Sequence, residues 1–295
     1  VTSIKIIHSV VEMQAHSDRL RQQGKTIAFV PTMGFLHDGH LSLIREGRKR
    51  ADCLMVSIFV NPTQFGPTED LKTYPRNFAR DLELIRTEGV DVVFAPSDKE
   101  LYPEGFQTFV KLRELPEHLC GISRPLFFRG IATVVTKLFN IVKPHTAVFG
   151  QKDYQQLVVI RRMVADLNFG IEIVGCPTVR EADGVAMSSR NSYLSPDQRR
   201  HARCLSEALE DAQAMLNRGM NDAGRLTQAA AEKILSHPQT DIDYIAICDP
   251  ETLEDIAIVD RPALMALAVK VGTTRLIDNR ILDSSEINKG DTHHE

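Results

Sequence analysis

Short apolar runs alternating with longer stretches of helical period constrain this chain more than any other feature. The run Leu54-Met55-Val56-Ser57-Ile58-Phe59-Val60 is almost continuously apolar, as a strand must be when helices cover both faces of its sheet. Comparable runs predict strands over 26–31, 53–59, 91–95, 145–149 and 171–176, with helices over about 40–51, 77–89, 130–143 and 153–168. That order predicts a doubly wound parallel α/β sheet with right-handed crossovers.

The pattern changes near residue 184. Ser195 before Pro196 reads as an N-cap followed by a first-position proline, opening a long helix to about Arg218 that Gly219 stops. A second helix over about 222–236 ends before Pro238, and strands follow near 241–248, 264–271 and 274–277, with a turn at Gly272-Thr273. The expected organisation is a catalytic domain over 1–184, a smaller C-terminal α+β domain over 185–287, and a polar, frayed tail over 288–295.

Composition narrows the function classes. With 295 residues, 43% hydrophobic and 25% charged, the chain is of ordinary globular type. A formal charge of −4 argues against nucleic acid or an anionic membrane as partner. No apolar stretch approaches the roughly 20 residues that cross a bilayer, and no charged leader with an apolar core suggests export. Cys53, Cys120, Cys176, Cys204 and Cys248 are odd in number and widely spaced. They form no Cys-x-x-Cys motif, and they fit a reducing cytoplasm.

Four polar clusters fall at strand ends or at the expected domain boundary. The first is Pro31-Thr32-Met33-Gly34-Phe35-Leu36-His37-Asp38-Gly39-His40, where a strand turns into a helix and free amides face an anion. Gly34 and Gly39 have the spacing of a phosphate loop. However, His40 and Leu41 stand where the lysine and the magnesium hydroxyl should follow. The second is Gly150-Gln151-Lys152-Asp153-Tyr154-Gln155-Gln156, which sets the Lys152 cation at another strand's C-terminal end. The third, Met187-Ser188-Ser189-Arg190-Asn191, offers two hydroxyls and a guanidinium to phosphate oxygens. The fourth, Phe59 to Gly66, presents Asn61 and Gln64 as neutral amides for a small polar substrate. Each cluster alone also suits a solvated loop; together they point to one binding edge.

These residues resemble the pantothenate synthetase (pantoate–β-alanine ligase) family. The likeness is carried by VPTMGFLHDGHLSL, VSIFVNPTQF, DLKTYPRNFARDL, FRGIATVVTKLFN, FGQKDYQQL, READGVAMSSRN and RLIDN, in order along nearly the whole chain. The resemblance implies a His-x-Gly-His nucleotidyltransferase: a Rossmann-like catalytic domain with a smaller C-terminal lid. It also implies ATP-driven condensation of (R)-pantoate with β-alanine through a pantoyl adenylate, releasing AMP and pyrophosphate, in a cytoplasmic homodimer. By position, ATP falls against Met33, Gly34, Phe35, Leu36, His37, Asp38, Gly39 and His40, then Gly150, Gln151, Lys152 and Asp153, then Val179, and finally Met187, Ser188, Ser189 and Arg190. His40 matches the assigned proton donor, and His37, Lys152, Ser188, Ser189 and Arg190 share the chemistry. Gln64 would bind pantoate and β-alanine, Gln156 pantoate, and Asp81 Mg2+. Gln151 departs from a usual Glu, and Leu126-Phe127 from a usual Gly-His pair. Two alternatives stand beside this reading: an adenylyltransferase acting on a phosphate-bearing acceptor, and a nucleotide-binding regulator without chemistry.

Overall fold

The computed structural model describes residues 4–67 and 69–284, so the expected tail at 288–295 lies outside the described residues. Two units divide the chain: residues 1–117 with 124–179, and residues 118–123 with 180–295.

In the first unit the buried runs become strands β1 (Lys5–Ile7), β2 (Ile27–Thr32), β3 (Cys53–Ile58), β4 (Val92–Phe94), β5 (Thr146–Gly150) and β6 (Glu172–Cys176). They form one sheet of order β1-β4-β3-β2-β5-β6, and every pairing is parallel. The helices of this unit are α1 (Val10–Gln22), α2 (Asp38–Arg48), α3 (Phe78–Arg86), α4 (Asp98–Leu101), α6 (Phe127–Val142) and α7 (Tyr154–Asp166), while α5 (Cys120–Ser123) belongs to the second unit. Ala28, Val30, Leu54, Val56 and Val93 of the central strands are fully buried against Leu36, Ile44 and Ile85. The doubly wound α/β expectation holds. The pair β1 and α1 was not foreseen.

Strand order decides where a ligand can sit. From β2 the chain steps outward to β3 and β4, then returns to pair β5 on the other side of β2. The crevice beyond the carboxyl ends of β2 and β5 is therefore a topological switch point, the default ligand position in such sheets.

In the second unit β7 (Thr240–Cys248), β8 (Ala263–Val271) and β9 (Thr274–Leu282) form an antiparallel sheet, with a register shift between Ile242 and Tyr244. Gly272, at φ +59, makes the tight β8–β9 turn. The single helix expected after Ser195 is two, α8 (Pro196–Ala202) and α9 (Cys204–Asn217), followed by α10 (Ala223–Leu235). Arg203 between the first two keeps helical dihedrals of −61° and −26°, so the interruption is slight. Leu205, Leu209, Leu226, Ile234, Leu267 and Val269 fill this unit's core.

Candidate active site

Three loops of the first unit leave the carboxyl ends of β2, β3 and β5. The β2 loop carries the histidines, and its shape is imposed by hydrogen bonds to its own backbone. Gly34 and Phe35 both adopt left-handed backbone, at φ +79 and +48, which for Phe35 is a strained choice. The strain is met by Asp81 in the first turn of α3. Its Oδ2 accepts from the Phe35 amide at 2.8 Å and its Oδ1 from the Leu36 amide at 2.7 Å. Beside it Arg80 donates to the Leu36 carbonyl at 2.9 Å and lies over the Phe35 ring at 5.2 Å. Thr32 completes the clamp, accepting from the Gly34 amide and donating to the Ser57 carbonyl on β3.

This geometry gives Asp81 a structural task in the turn. Its side chain is 1% exposed, and burial raises its pKa even though the Leu36 and Phe35 amides pull the other way. Both carboxylate oxygens serve main-chain donors, and among the described residues no three His, Cys, Asp or Glu side chains gather as a metal cage. Both oxygens already hold the turn, whereas magnesium takes open carboxylates, water and phosphate.

Beyond the clamp, His37 caps α2 with extended backbone and His40 occupies the helix's third position. The rings stand 4.1 Å apart between centroids. The His37 amide donates to Nδ1 of His40 at 3.4 Å. A main-chain N–H can only donate, so neutral His40 carries its proton on Nε2. Burial holds its pKa well below the ordinary histidine range, with smaller pushes from neighbouring His37 and Lys152, and the helix N-terminus acts in the same sense. Burial and both neighbours thus favour the neutral imidazole at His40. The amides of Asp38 and Gly39, in the first helical turn, have no intrahelical acceptor.

Lys152 rises from the short 3-10 turn Gln151–Asp153 that follows β5, placing its cation near His40 across the β2/β5 crevice. Its amine is 3.8 Å from the exposed Asp153 carboxylate. Gln156, in the first turn of α7, is half-buried; its neighbour Gln155 is buried and spends its amide on the Leu115 carbonyl at 2.8 Å. The β3 loop brings Asn61 and Gln64 to the same edge, both buried. Val179 is half-buried just past β6 at the end of the first unit. Thus His37, His40, Lys152, Gln64 and Asn61 share one sheet edge.

Met187, Ser188, Ser189 and Arg190 belong to the second unit. Ser188 caps a 3-10 turn by accepting from the Arg190 amide, and Ser189 is buried. Asn191 ties the loop down by donating to Glu181 and the Ala186 carbonyl.

Sequence reasoning missed Tyr102, whose hydroxyl donates to Asn61 at 2.8 Å. It also missed Arg124, which pairs with both oxygens of Glu69 at 2.6 Å and reaches the Gln64 carbonyl at 3.3 Å. Arg124 further stacks on Phe127 at 3.5 Å, so the departure at Leu126-Phe127 gives that guanidinium an aromatic platform. The hydrogen bonds of Tyr102 and Arg124 span 41 to 60 positions, so no local spacing marks them.

The family model described as Pantoate-beta-alanine ligase matches residues 5–281. A pantothenate synthetase of Desulfatibacillum aliphaticivorans is 58% identical over 280 residues, covering 95% of this chain and all of the relative. One from Syntrophus aciditrophicus is 59% identical over 278 residues, covering 94% and 97%. The crystal structure of pantothenate synthetase from Thermus thermophilus superposes with a TM-score of 0.90 at 43% identity, covering 95% of this chain and all of that one. The ligase of Francisella tularensis, solved in complex with β-γ ATP and β-alanine, gives a TM-score of 0.78 at 33% identity, covering 95% and 98%. With a family match across nearly its whole length and the expected histidine turn at the switch point, this chain belongs to the pantoate–β-alanine ligase family.

Proposed function

We propose that the chain joins (R)-pantoate to β-alanine with cleavage of ATP to AMP and pyrophosphate, through an enzyme-held pantoyl adenylate, in the β2/β5 crevice of the first unit. The observation that carries this is the gathering of His37, His40 and Lys152 at the switch point of a chain that matches the ligase family over residues 5–281. The Francisella relative holds a β-γ ATP and β-alanine, which supports the same ligands here. Family membership sets aside the adenylyltransferase and the regulator.

In the first step the pantoate carboxylate attacks the α-phosphorus in line and the pyrophosphate oxygen leaves with the bond electrons. The carboxylate is ionised at neutral pH, with an ordinary pKa of about 4, so no base is required. The protein's contribution is to position the reactants and stabilise charge. Neutral His40 donates from Nε2–H to a phosphate oxygen, the amides of Asp38 and Gly39 face the same charge, and Lys152 supplies the cation. In the second step the β-alanine amine attacks the acyl carbon, AMP leaves, and the nitrogen gives up its proton. Gln64 and Gln156 recognise pantoate through amides that do not compete as nucleophiles. ATP contacts at Met187, Ser188, Ser189, Arg190 and Val179 are proposed on family likeness alone. Magnesium belongs to this reading as a companion of the triphosphate, whose charge it would help to neutralise.

We extend the reading to a homodimer in a reducing cytoplasm. No helix among the described residues is long and apolar enough to cross a membrane, and all five cysteines are buried. Pantoate-dependent exchange of labelled pyrophosphate into ATP, then AMP release on adding β-alanine, tests the reaction. Exchange that ignores pantoate would overturn it.

A further inference from the structure

The amide of Asn61 is fixed at both ends by main-chain atoms, and this sets the direction of its neighbour. Asn61 is 1% exposed. Its Oδ1 accepts from the Thr63 amide at 3.3 Å, the Thr63 hydroxyl at 2.9 Å and the Tyr102 hydroxyl at 2.8 Å. Its Nδ2 donates to the Gly130 carbonyl at 3.2 Å and to Oε1 of Gln64 at 3.1 Å. A backbone N–H only donates and a backbone carbonyl only accepts, so the oxygen and nitrogen of Asn61 cannot exchange places. Gln64 must then turn its oxygen inward and its Nε2 outward. That Nε2 points at Met33 Sδ, 3.2 Å away, at the mouth of the histidine turn. A thioether is a weak acceptor, so a substrate oxygen would be the better partner.

We propose that Asn61 and Tyr102 are positioning residues that lock Gln64 as a hydrogen-bond donor toward the cleft. The site then selects its acid substrate through an acceptor oxygen, hydroxyl or carboxylate, and excludes an ammonium from that point. The inference rests on the reaction proposed above: pantoate's hydroxyl and carboxylate oxygens and the carboxylate of β-alanine can accept from that Nε2, whereas the ammonium of β-alanine cannot. The Gly130 carbonyl reaches Asn61 because helix α6 comes very close there; a Cβ on Gly130 would lie 2.3 Å from the Thr63 carbonyl oxygen. Asn61 itself, expected from sequence to touch substrate, serves from behind.

Asn61→Asp inverts the relay, since an oxygen would face the Gly130 carbonyl and force Gln64 to present its own oxygen to the cleft. In pyrophosphate exchange its KM for pantoate should rise at least about tenfold, with KM for ATP held within about twofold. Tyr102→Phe removes one of three donors to Oδ1 and leaves the ring packing on Phe106, so its fold is secure. Its KM for pantoate should rise by about two- to fivefold, again without a matching change for ATP. An unchanged pantoate KM in Tyr102→Phe, or pantoate and ATP constants rising together in either variant, overturns the proposal. Wild-type enzyme supplies the control: pantoate-dependent exchange there with unsplit constants in the variants sinks the relay alone, whereas no such exchange in wild type sinks the reaction as well.

Discussion

His40 refuses a proton in the fold that it accepts once unfolded, and this has a definite pH signature. Its pKa lies well below the ordinary value because of burial, then His37 and Lys152. Above about pH 6.5 both states are neutral and the residue contributes no pH dependence. As pH falls below that value the unfolded chain gains the proton first, so stability declines until the folded pKa is reached, by at most about 1.4 kcal/mol per pH unit. Unfolding midpoints between neutral and mildly acid pH should therefore fall further for wild type than for His40→Gln. Equal losses would show that the imidazole is not held neutral. Asp81→Asn tests the clamp: one oxygen stays, but an NH2 group meets a backbone donor. The net destabilisation should be about 1 kcal/mol, because relief of the buried charge offsets part of the lost bond. The magnesium concentration for half-maximal activity should stay within about twofold, whereas a metal ligand would move it strongly. The histidines were legible in sequence because they sit contiguously in a strand-to-helix turn. The clamping role of Asp81 was not, because its hydrogen bonds span 45 and 46 positions.

Helix α6 shows what an element adds. Its Gly130 lies against the backbone of Thr63 and Gln64, at 2.3 to 2.7 Å from an added Cβ. No side chain could yield there, so Gly130→Ala must displace the β3 loop, at a cost of about 1–3 kcal/mol. Pantoate kcat/KM should fall at least about tenfold; thermal unfolding beside steady-state kinetics would check both. Five of the six sheet strands were readable as apolar runs; β2 to β5 are buried almost throughout, whereas the edge strand β6 buries only Cys176. β1 escaped because it has three residues, two of them exposed, and α1 because it buries only Met13 and Ser17. The strand order, and hence the choice of β2 and β5 as the flanks of the crevice, is a pairing property that no run of letters contains.

At the scale of the whole molecule, each unit has its own core and its own buried charges. In the second, Asp278 is 3% exposed and accepts from both Nη1 and Nη2 of Arg180, at 2.6 and 3.0 Å, and from the Asn279 amide. Arg180 also reaches the Gly184 carbonyl, and Arg199 bridges Glu181 and Asp183. These pairs brace the segment leading into Met187–Arg190. Asp278→Ala should destabilise the protein by about 2 kcal/mol, less than a fully buried pair because Arg180 keeps some solvent. A denaturant midpoint shifted by less than a quarter of that would show the pair to be dispensable. Helices and strands of this unit were legible from caps and turns, but Asp278 and its partner Arg180 lie 98 residues apart in sequence.

The grip of Arg80 and Asp81 on residues 34–36 also says what could be transplanted. A ten-residue loop moved from this protein into another nucleotide-binding sheet would bring the imidazoles without the grip that shapes them. The smallest portable piece is two segments, the turn and the start of helix α3, inherited together.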